Sequence, residues 1–177
     1  MKLVLLASGA GSLAQSLIDA KFDIVAIISD VAGAPVIAKG KAAGINSIEI
    51  PFRQPRAYWD TELLRTVSSL KPDLVVSVGF MRILNNEFVN RFKVINSHPA
   101  LLPNFPGAHA VKDALSAGAT ETGCTVHWVD AGVDTGEVIS QVVVPIIAGD
   151  DEASLHERIK IVERKLIVDT VKKLEES

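Results

Sequence analysis

The sequence is poor in the residues on which several protein classes depend. Cys124 is the only cysteine among 177 residues. A single thiol closes no internal disulfide and builds no zinc site by itself. A chain of this length buries enough surface to fold without either staple. Aromatic residues make up 5%, too few for a platform on which bases stack. Basic residues do not predominate: 18 Lys and Arg stand against 21 Asp and Glu, for a net charge of −3 and a pI of about 5.8. A domain that binds duplex DNA or tRNA normally carries the opposite sign. No stretch approaches the roughly 18 consecutive apolar residues of a membrane span. The opening MKLVLLASGAGS has one Lys and a short apolar run, but a charged, periodic chain follows at once. It therefore reads as a buried first strand rather than a signal peptide. What is left is a soluble cytoplasmic globular chain, 48% hydrophobic and 22% charged, with no nucleic-acid, membrane or metal partner expected.

Apolar runs alternate with helical patterns along the first hundred residues. KLVLLA (2–7), DIVAIISD (23–30), NSIEIP (46–51), PDLVVSVGF (72–80) and KVINSHP (93–99) read as strands, most of them buried on both faces. Between them, SLAQSLIDA (12–20), APVIAKGKAAG (34–44, ended by Gly44), PRAYWDTELLRTVSSL (55–70) and NNEFVNRF (85–92) read as helices. This series predicts an α/β fold with a Rossmann-like, doubly wound, mostly parallel sheet and right-handed crossovers. The pattern then changes. ALLPNFPGAH (100–109) is a loop and VKDALSAGA a helix. TGCTVHWVD (122–130) and EVISQVVVPI (137–146) form a strand pair joined by AGVDTG, an antiparallel C-terminal addition. The last 28 residues form a long helix with the stripe Leu155, Ile159, Val162, Leu166, Ile167, Val171 and Leu174, capped by Asp150 or Asp151. No repeat, low-complexity tract or linker divides the chain.

Two features carry chemistry. Gly9-Ala10-Gly11-Ser12-Leu13-Ala14 follows the first strand and fits GxGxxA, with Asp30 about 20 residues on, where a dinucleotide fold places its ribose-binding acid. Glycines and free helix-start amides accept any phosphate, however, and Ser8 and Ser12 add hydroxyls, so a phosphate monoester fits as well as NAD. A ligand-free turn is the third reading. The second feature is Asn96-Ser97-His98 at the end of the fifth strand, with Asp134 in the small loop AGVDTG. An Asn amide can donate to an oxyanion, a His can move a proton near neutral pH, and an Asp can orient that His. Ser97 points to the opposite face of the strand from its neighbours and is no partner for His98. This favours direct transfer between two bound substrates over a covalent enzyme intermediate. Loop capping or core hydrogen bonding remains the alternative for an isolated Asn-x-His.

Five blocks taken together are more specific: SGAGS (8–12), GFMRIL (79–84), INSHPALLPNFPGAH (95–109), TGCTVHWVDAGVDTGEVI (122–139) and ERIKIVERKL (157–166). On these the chain resembles the folate-dependent formyltransferase family, and within it the enzymes that formylate glycinamide ribonucleotide. The resemblance implies Asn96, His98 and Asp134 as catalytic residues. It implies Gly9, Gly11, Ser12 and the amide of Leu13 around the substrate phosphate, with Glu163 near the glycinamide amine. It implies Arg56, Met81, Arg82, Ile83, Leu84, Asn96 and the run Asp130, Ala131, Gly132, Val133, Asp134 around the folate. The implied co-substrate is 10-formyltetrahydrofolate, with no metal, and the implied acceptor is 5'-phosphoribosylglycinamide of purine biosynthesis. The implied organisation is one catalytic domain over 1–177, in which 1–99 holds the phosphate and 100–177 carries the folate loops, edge strands and last helix. The chain would act as a monomer or homodimer.

Three departures from the family pattern stand out. Leu13 replaces an Asn common after the loop serine, so phosphate binding would fall to backbone amides. Glu163-Arg164-Lys165-Leu166 replaces Glu-His and a later proline. The chain ends at Ser177, where relatives often continue, so some edge contacts are expected to be missing. A formyltetrahydrofolate hydrolase or another folate-dependent formyltransferase is the neighbouring alternative, and an NAD-binding Rossmann protein is the alternative of another class. Of the remaining candidates, His109 either lines the folate site or bonds within its loop. His127 reads as a structural partner across the sheet, His156 as solvated, and Cys124 as a small buried hydrophobe. Lys39 and Lys41 read as a solvated helix face, and Trp59 and Trp128 as packing groups.

Overall fold

The computed structural model describes residues 1–177. Its elements follow in the order β1 (Leu3–Leu6), α1 (Ser12–Asp19), β2 (Ile24–Ser29), α2 (Pro35–Ala42), β3 (Ser47–Glu49), α3 (Arg56–Leu70), β4 (Leu74–Ser77), α4 (Asn86–Arg91), β5 (Val94–His98), α5 (Ala110–Ser116), β6 (Glu121–Trp128), β7 (Val138–Pro145) and α6 (Glu152–Glu175). The chain forms two compact units, Met1–Ile95 and Asn96–Ser177. The boundary falls inside β5, so Asn96, Ser97 and His98 belong to the second unit. No helix is long and apolar enough to cross a membrane.

In the first unit the strands run in the order β3-β2-β1-β4-β5. The pairs β1/β2, β1/β4 and β2/β3 are parallel. Leu3, Val4, Leu5 and Leu6 are all buried, because a central parallel strand is covered on both faces and its sequence is a continuous apolar run. The helix ends follow local chemistry. Gly44, at φ +74, closes α2. Its N–H donates to Lys41 O and that of Ile45 to Gly40 O, the paired bonds of a Schellman turn. Asn85 caps α4 by accepting from the Phe88 N–H. Trp59 is fully buried, and its indole N–H donates to Ile50 O at 2.8 Å, a packing role as expected.

The second unit holds β5-β6-β7, with β6 and β7 antiparallel. Helix α6 packs on both β6 and β7. The expected class, an α/β fold with a mostly parallel sheet, an antiparallel C-terminal pair and a long last helix, is the one observed. Asp151, rather than Asp150, caps α6 in a reciprocal capping box with Ser154. Asp150 instead pairs with Arg158 at 2.7 Å.

The buried stripe of α6 differs from the expected one. It runs Leu155, Ile159, Glu163, Ile167, Val171, with Leu166 and Thr170 beside it. Val162 and Leu174 are only half-buried. A row of i, i+4 residues defines the inward ridge, and a carboxylate occupies its middle. His156, expected to be solvated, is half-buried. Desolvation first, and the Lys160 charge second, hold its pKa below the ordinary imidazole value.

The turn from β1 into α1 rests on Gly11, at φ +70. A Cβ added there would lie 2.7 Å from Val36 Cβ at the start of α2. Gly11→Ala is therefore expected to destabilise the fold by at least about 1 kcal/mol from its left-handed backbone alone. Equilibrium denaturation checks this as a lower midpoint with an unchanged slope.

Candidate active site

The strand order of the first unit reverses at β1, with β2 on one side and β4 on the other. In open α/β sheets, ligands bind beyond the carboxyl ends of the strands at such a point. The segments that emerge there are the glycine loop after β1 and residues 79–84 after β4. They are tied together, since the Ser8 N–H donates to Gly79 O at 3.0 Å. No side chain caps the start of α1. The first-turn amides of Ser12, Leu13 and Ala14 are thus open donors at the positive end of a helix dipole. The Leu13 side chain is buried, so this position offers only its backbone. Gly9 and Ala10 are exposed.

Asp30 is not available to a ribose. Its Oδ1 accepts from the Ser8 hydroxyl at 2.5 Å, and its Oδ2 accepts from Arg82 Nε at 2.7 Å. The Arg82 guanidinium lies 4.1 Å from the centre of the Phe52 ring. The Met81 N–H donates to Ser8 Oγ at 2.8 Å. Met81 and Ile83 are 62% and 56% exposed, whereas Leu84 turns into the core. Arg56 pairs with Asp60 at 3.2 Å and donates through Nη2 to Ile83 O, which attaches α3 to the same segment.

The second unit contains the polar group. The alternation of β5 sends Asn96 and His98 to one face and Ser97 to the other. His98 Nδ1 lies 3.4 Å from Asp134 Oδ2, and His98 Nε2 lies 2.8 Å from Phe105 O. Phe105 O is an acceptor, so Nε2 donates to it, and Nδ1 faces the Asp134 carboxylate. Asp134 Oδ2 also accepts from the Gly107 N–H at 2.8 Å. Its Oδ1 lies 3.5 Å from His127 Nε2. His127 lies 3.4 Å from Asn96 Nδ2 through the same nitrogen, and its Nδ1 donates to Trp128 O at 2.8 Å. Burial pushes the Asp134 pKa up. The hydrogen bonds from His127 and Gly107 and the charges of His98 and His127 outweigh that and hold it below the usual value.

Asp130 shapes the loop that carries Asp134: its Oδ1 accepts from the Gly132 N–H at 3.0 Å and the Thr135 hydroxyl at 2.7 Å. Ala131, Gly132 and Val133 are exposed on it. A cavity of about 270 Å³ lies against this loop, lined by Leu102, Pro106, Val133, Asp134, Thr135 and Val138 among others.

On the other face of β5, the Ser97 hydroxyl donates to Glu163 Oε1 at 2.6 Å. Glu163 is buried, and desolvation raises its pKa against the pull of Ser97, Lys160 and Arg164. Cys124 is fully buried. Desolvation first, then the Glu163 charge, pushes its thiol up to about 12. His109 is exposed at the residue before α5 and makes no capping hydrogen bond. No group of three or more His, Cys, Asp or Glu side chains is placed to hold a metal ion.

The structure thus brings Asn96, His98 and Asp134 into one polar cluster, Asn96 reaching it through His127, and adds three participants. His127 was read from sequence as a structural partner only. It pairs with Val138 just past a register shift that leaves Ile139 of β7 as the extra residue. Phe105 and Gly107 contribute through the backbone, and no side-chain type announces such a role.

A chain with this switch point and this Asn-His-Asp group matches the formyl transferase family model over residues 1–171, and it belongs to that family. It is 46% identical over 178 residues to the phosphoribosylglycinamide formyltransferase of Mycobacterium tuberculosis (strain CDC 1551 / Oshkosh), covering 96% of this chain and 83% of that protein. It is 45% identical over 174 residues to the trifunctional purine biosynthetic protein adenosine-3 of Drosophila pseudoobscura pseudoobscura, covering 92% of this chain and 13% of that protein. The crystal structure of phosphoribosylglycinamide formyltransferase from Streptococcus pneumoniae TIGR4 superimposes with a TM-score of 0.93 at 36% identity, covering 98% of both chains. Within the family, the chain's place is among the phosphoribosylglycinamide formyltransferases.

A buried carboxyl with a raised pKa stabilises the fold fully only below its unfolded value of about 4.5. That contribution is lost as pH rises through the folded value. Glu163→Gln is therefore expected to lose less stability than the wild type as pH rises from about 4.5 to about 8. Melting temperatures measured across that range check it.

Proposed function

We propose that the chain transfers the formyl group of 10-formyltetrahydrofolate to the amine of 5'-phosphoribosylglycinamide, a step of purine biosynthesis. The observation that supports this best is the Asn96, His98 and Asp134 group, within a chain of the formyl transferase family. In this reading the two units serve one catalytic domain. The open amides around Gly9, Gly11, Ser12 and Leu13 take the substrate phosphate, and Glu163 serves the glycinamide amine. Arg56, Met81, Arg82, Ile83 and Leu84, with Asp130 to Asp134, hold the folate. Leu84 contributes from the core side and Asp130 through the shape of its loop.

The neutral amine nitrogen attacks the formyl carbon, and the carbonyl electron pair moves onto oxygen. The Asn96 amide and a protonated His98, whose Nε2–H exchanges Phe105 O for the substrate, donate to that oxyanion. Asp134 orients the His98 ring and balances its charge. The adduct collapses when the electron pair returns and the bond to N10 breaks. N10 takes a proton from His98, and the former amine releases one to an ordered water that completes the relay. No serine enters the step, since the Ser97 hydroxyl is committed to Glu163. Holding both substrates together supplies the proximity contribution.

The test combines enzyme, 10-formyltetrahydrofolate and glycinamide ribonucleotide and follows release of tetrahydrofolate. Amine-dependent turnover is expected. Its absence overturns the reading, and turnover without the amine points to a hydrolase. His98→Ala is expected to lower kcat by about 10²–10⁴-fold and Asn96→Ala by about 10²–10³-fold. Asp134→Ala should also cut turnover severely. Circular dichroism should show a retained fold in each variant. A near-normal rate in any of them removes that residue from the mechanism.

A further inference from the structure

Asp30 is the one acid of the glycine-loop pattern that the proposed reaction does not use, yet its side chain is 1% exposed. A buried carboxylate persists only where donors meet it, and this one is met from two directions. We propose that Asp30 is a positioning residue for the segment Gly79–Leu84 and thereby sets affinity for the formyl donor without touching a reacting atom. This rests on the reading of that segment as a folate wall.

The geometry is a relay with no spare donor. The Met81 N–H donates to Ser8 Oγ, and the Ser8 hydroxyl donates to Asp30 Oδ1. Asp30 Oδ2 takes Arg82 Nε. The main-chain oxygen of Asp30 accepts from the Phe52 N–H at 2.8 Å. The Arg82 guanidinium lies over the Phe52 ring, a cation–π contact. Two successive residues of the wall, Met81 by its backbone and Arg82 by its side chain, are held by one carboxylate. Among side chains this short, only a carboxylate offers two acceptor oxygens. The wall is then presented in a single conformation, and a ligand loses less freedom on meeting it.

Asp30→Asn keeps the volume but removes the charge that pairs with Arg82, and its new donor forces the Ser8 hydroxyl to accept rather than donate. The expected result is a rise of about tenfold in KM and Kd for the formyl donor, with kcat and the KM of the amine substrate within about twofold of wild type. Adding Arg82→Gln should then cost less than the sum of the single changes, because both act through one contact. Wild-type turnover is read first. Its absence overturns the functional reading and this role with it. With the wild type active, an unchanged donor KM, an equal rise in both KM values, a fall in kcat alone or additive single changes overturn the role of Asp30 and leave the functional reading intact. Should Asp30→Asn fail to show a native melting transition, Ser8→Ala removes only the Met81 arm. It is expected to raise the donor KM alone by a smaller factor, and no change there overturns the role.

Discussion

Burial of a charge without donors is among the costliest things a fold can do, and the second unit is arranged around one such charge. Asp134 draws on three separate segments: the end of β5 through His98, the loop after β5 through Gly107, and the end of β6 through His127. It does so from a left-handed backbone, at φ +54, a conformation that aspartate tolerates better than most residues. The donors more than offset desolvation and hold its pKa below the usual value. The polar group is therefore a consequence of closing these segments on one acceptor.

The same rule explains the first unit. Asp30 is buried at the end of β2 and collects Ser8 from the loop after β1 and Arg82 from the segment after β4. In each unit one carboxylate converts flexible loops into a defined surface. Thr125 does this with a neutral group. Its hydroxyl donates to Ala100 O and accepts from the Leu102 N–H and Gln141 Nε2, so the loop after β5 leaves the strand in a fixed direction.

Much of this was legible in the residue pattern. Continuous apolar runs marked β1, β2 and β4 because strands covered on both faces need no alternation. Gly44 marked the end of α2, since a left-handed turn suits glycine best. Strand alternation correctly separated Ser97 from His98. Other features left no trace. Glu163 sits in the buried row of α6, and a search for apolar residues at helical spacing passes over it and selects Val162. Asp30 has the spacing of a ribose-binding acid, and spacing alone does not reveal an arginine 52 residues away that claims the same oxygen. The acceptors and donors at Phe105 and Gly107 are main-chain groups, present at every residue. His127 required knowledge of a one-residue register shift, which depends on how β6 meets β7.

The single cysteine has a practical consequence. Cys124 lies in the core of β6, and the neighbouring Glu163 charge disfavours its thiolate. Only the thiolate reacts at a useful rate. The native chain is thus silent toward thiol-directed probes, and a cysteine introduced at an exposed loop position such as Ala131 would be the sole site of labelling. A fluorophore attached there would report movement of the loop that carries Asp134, with no need to remove the native thiol first.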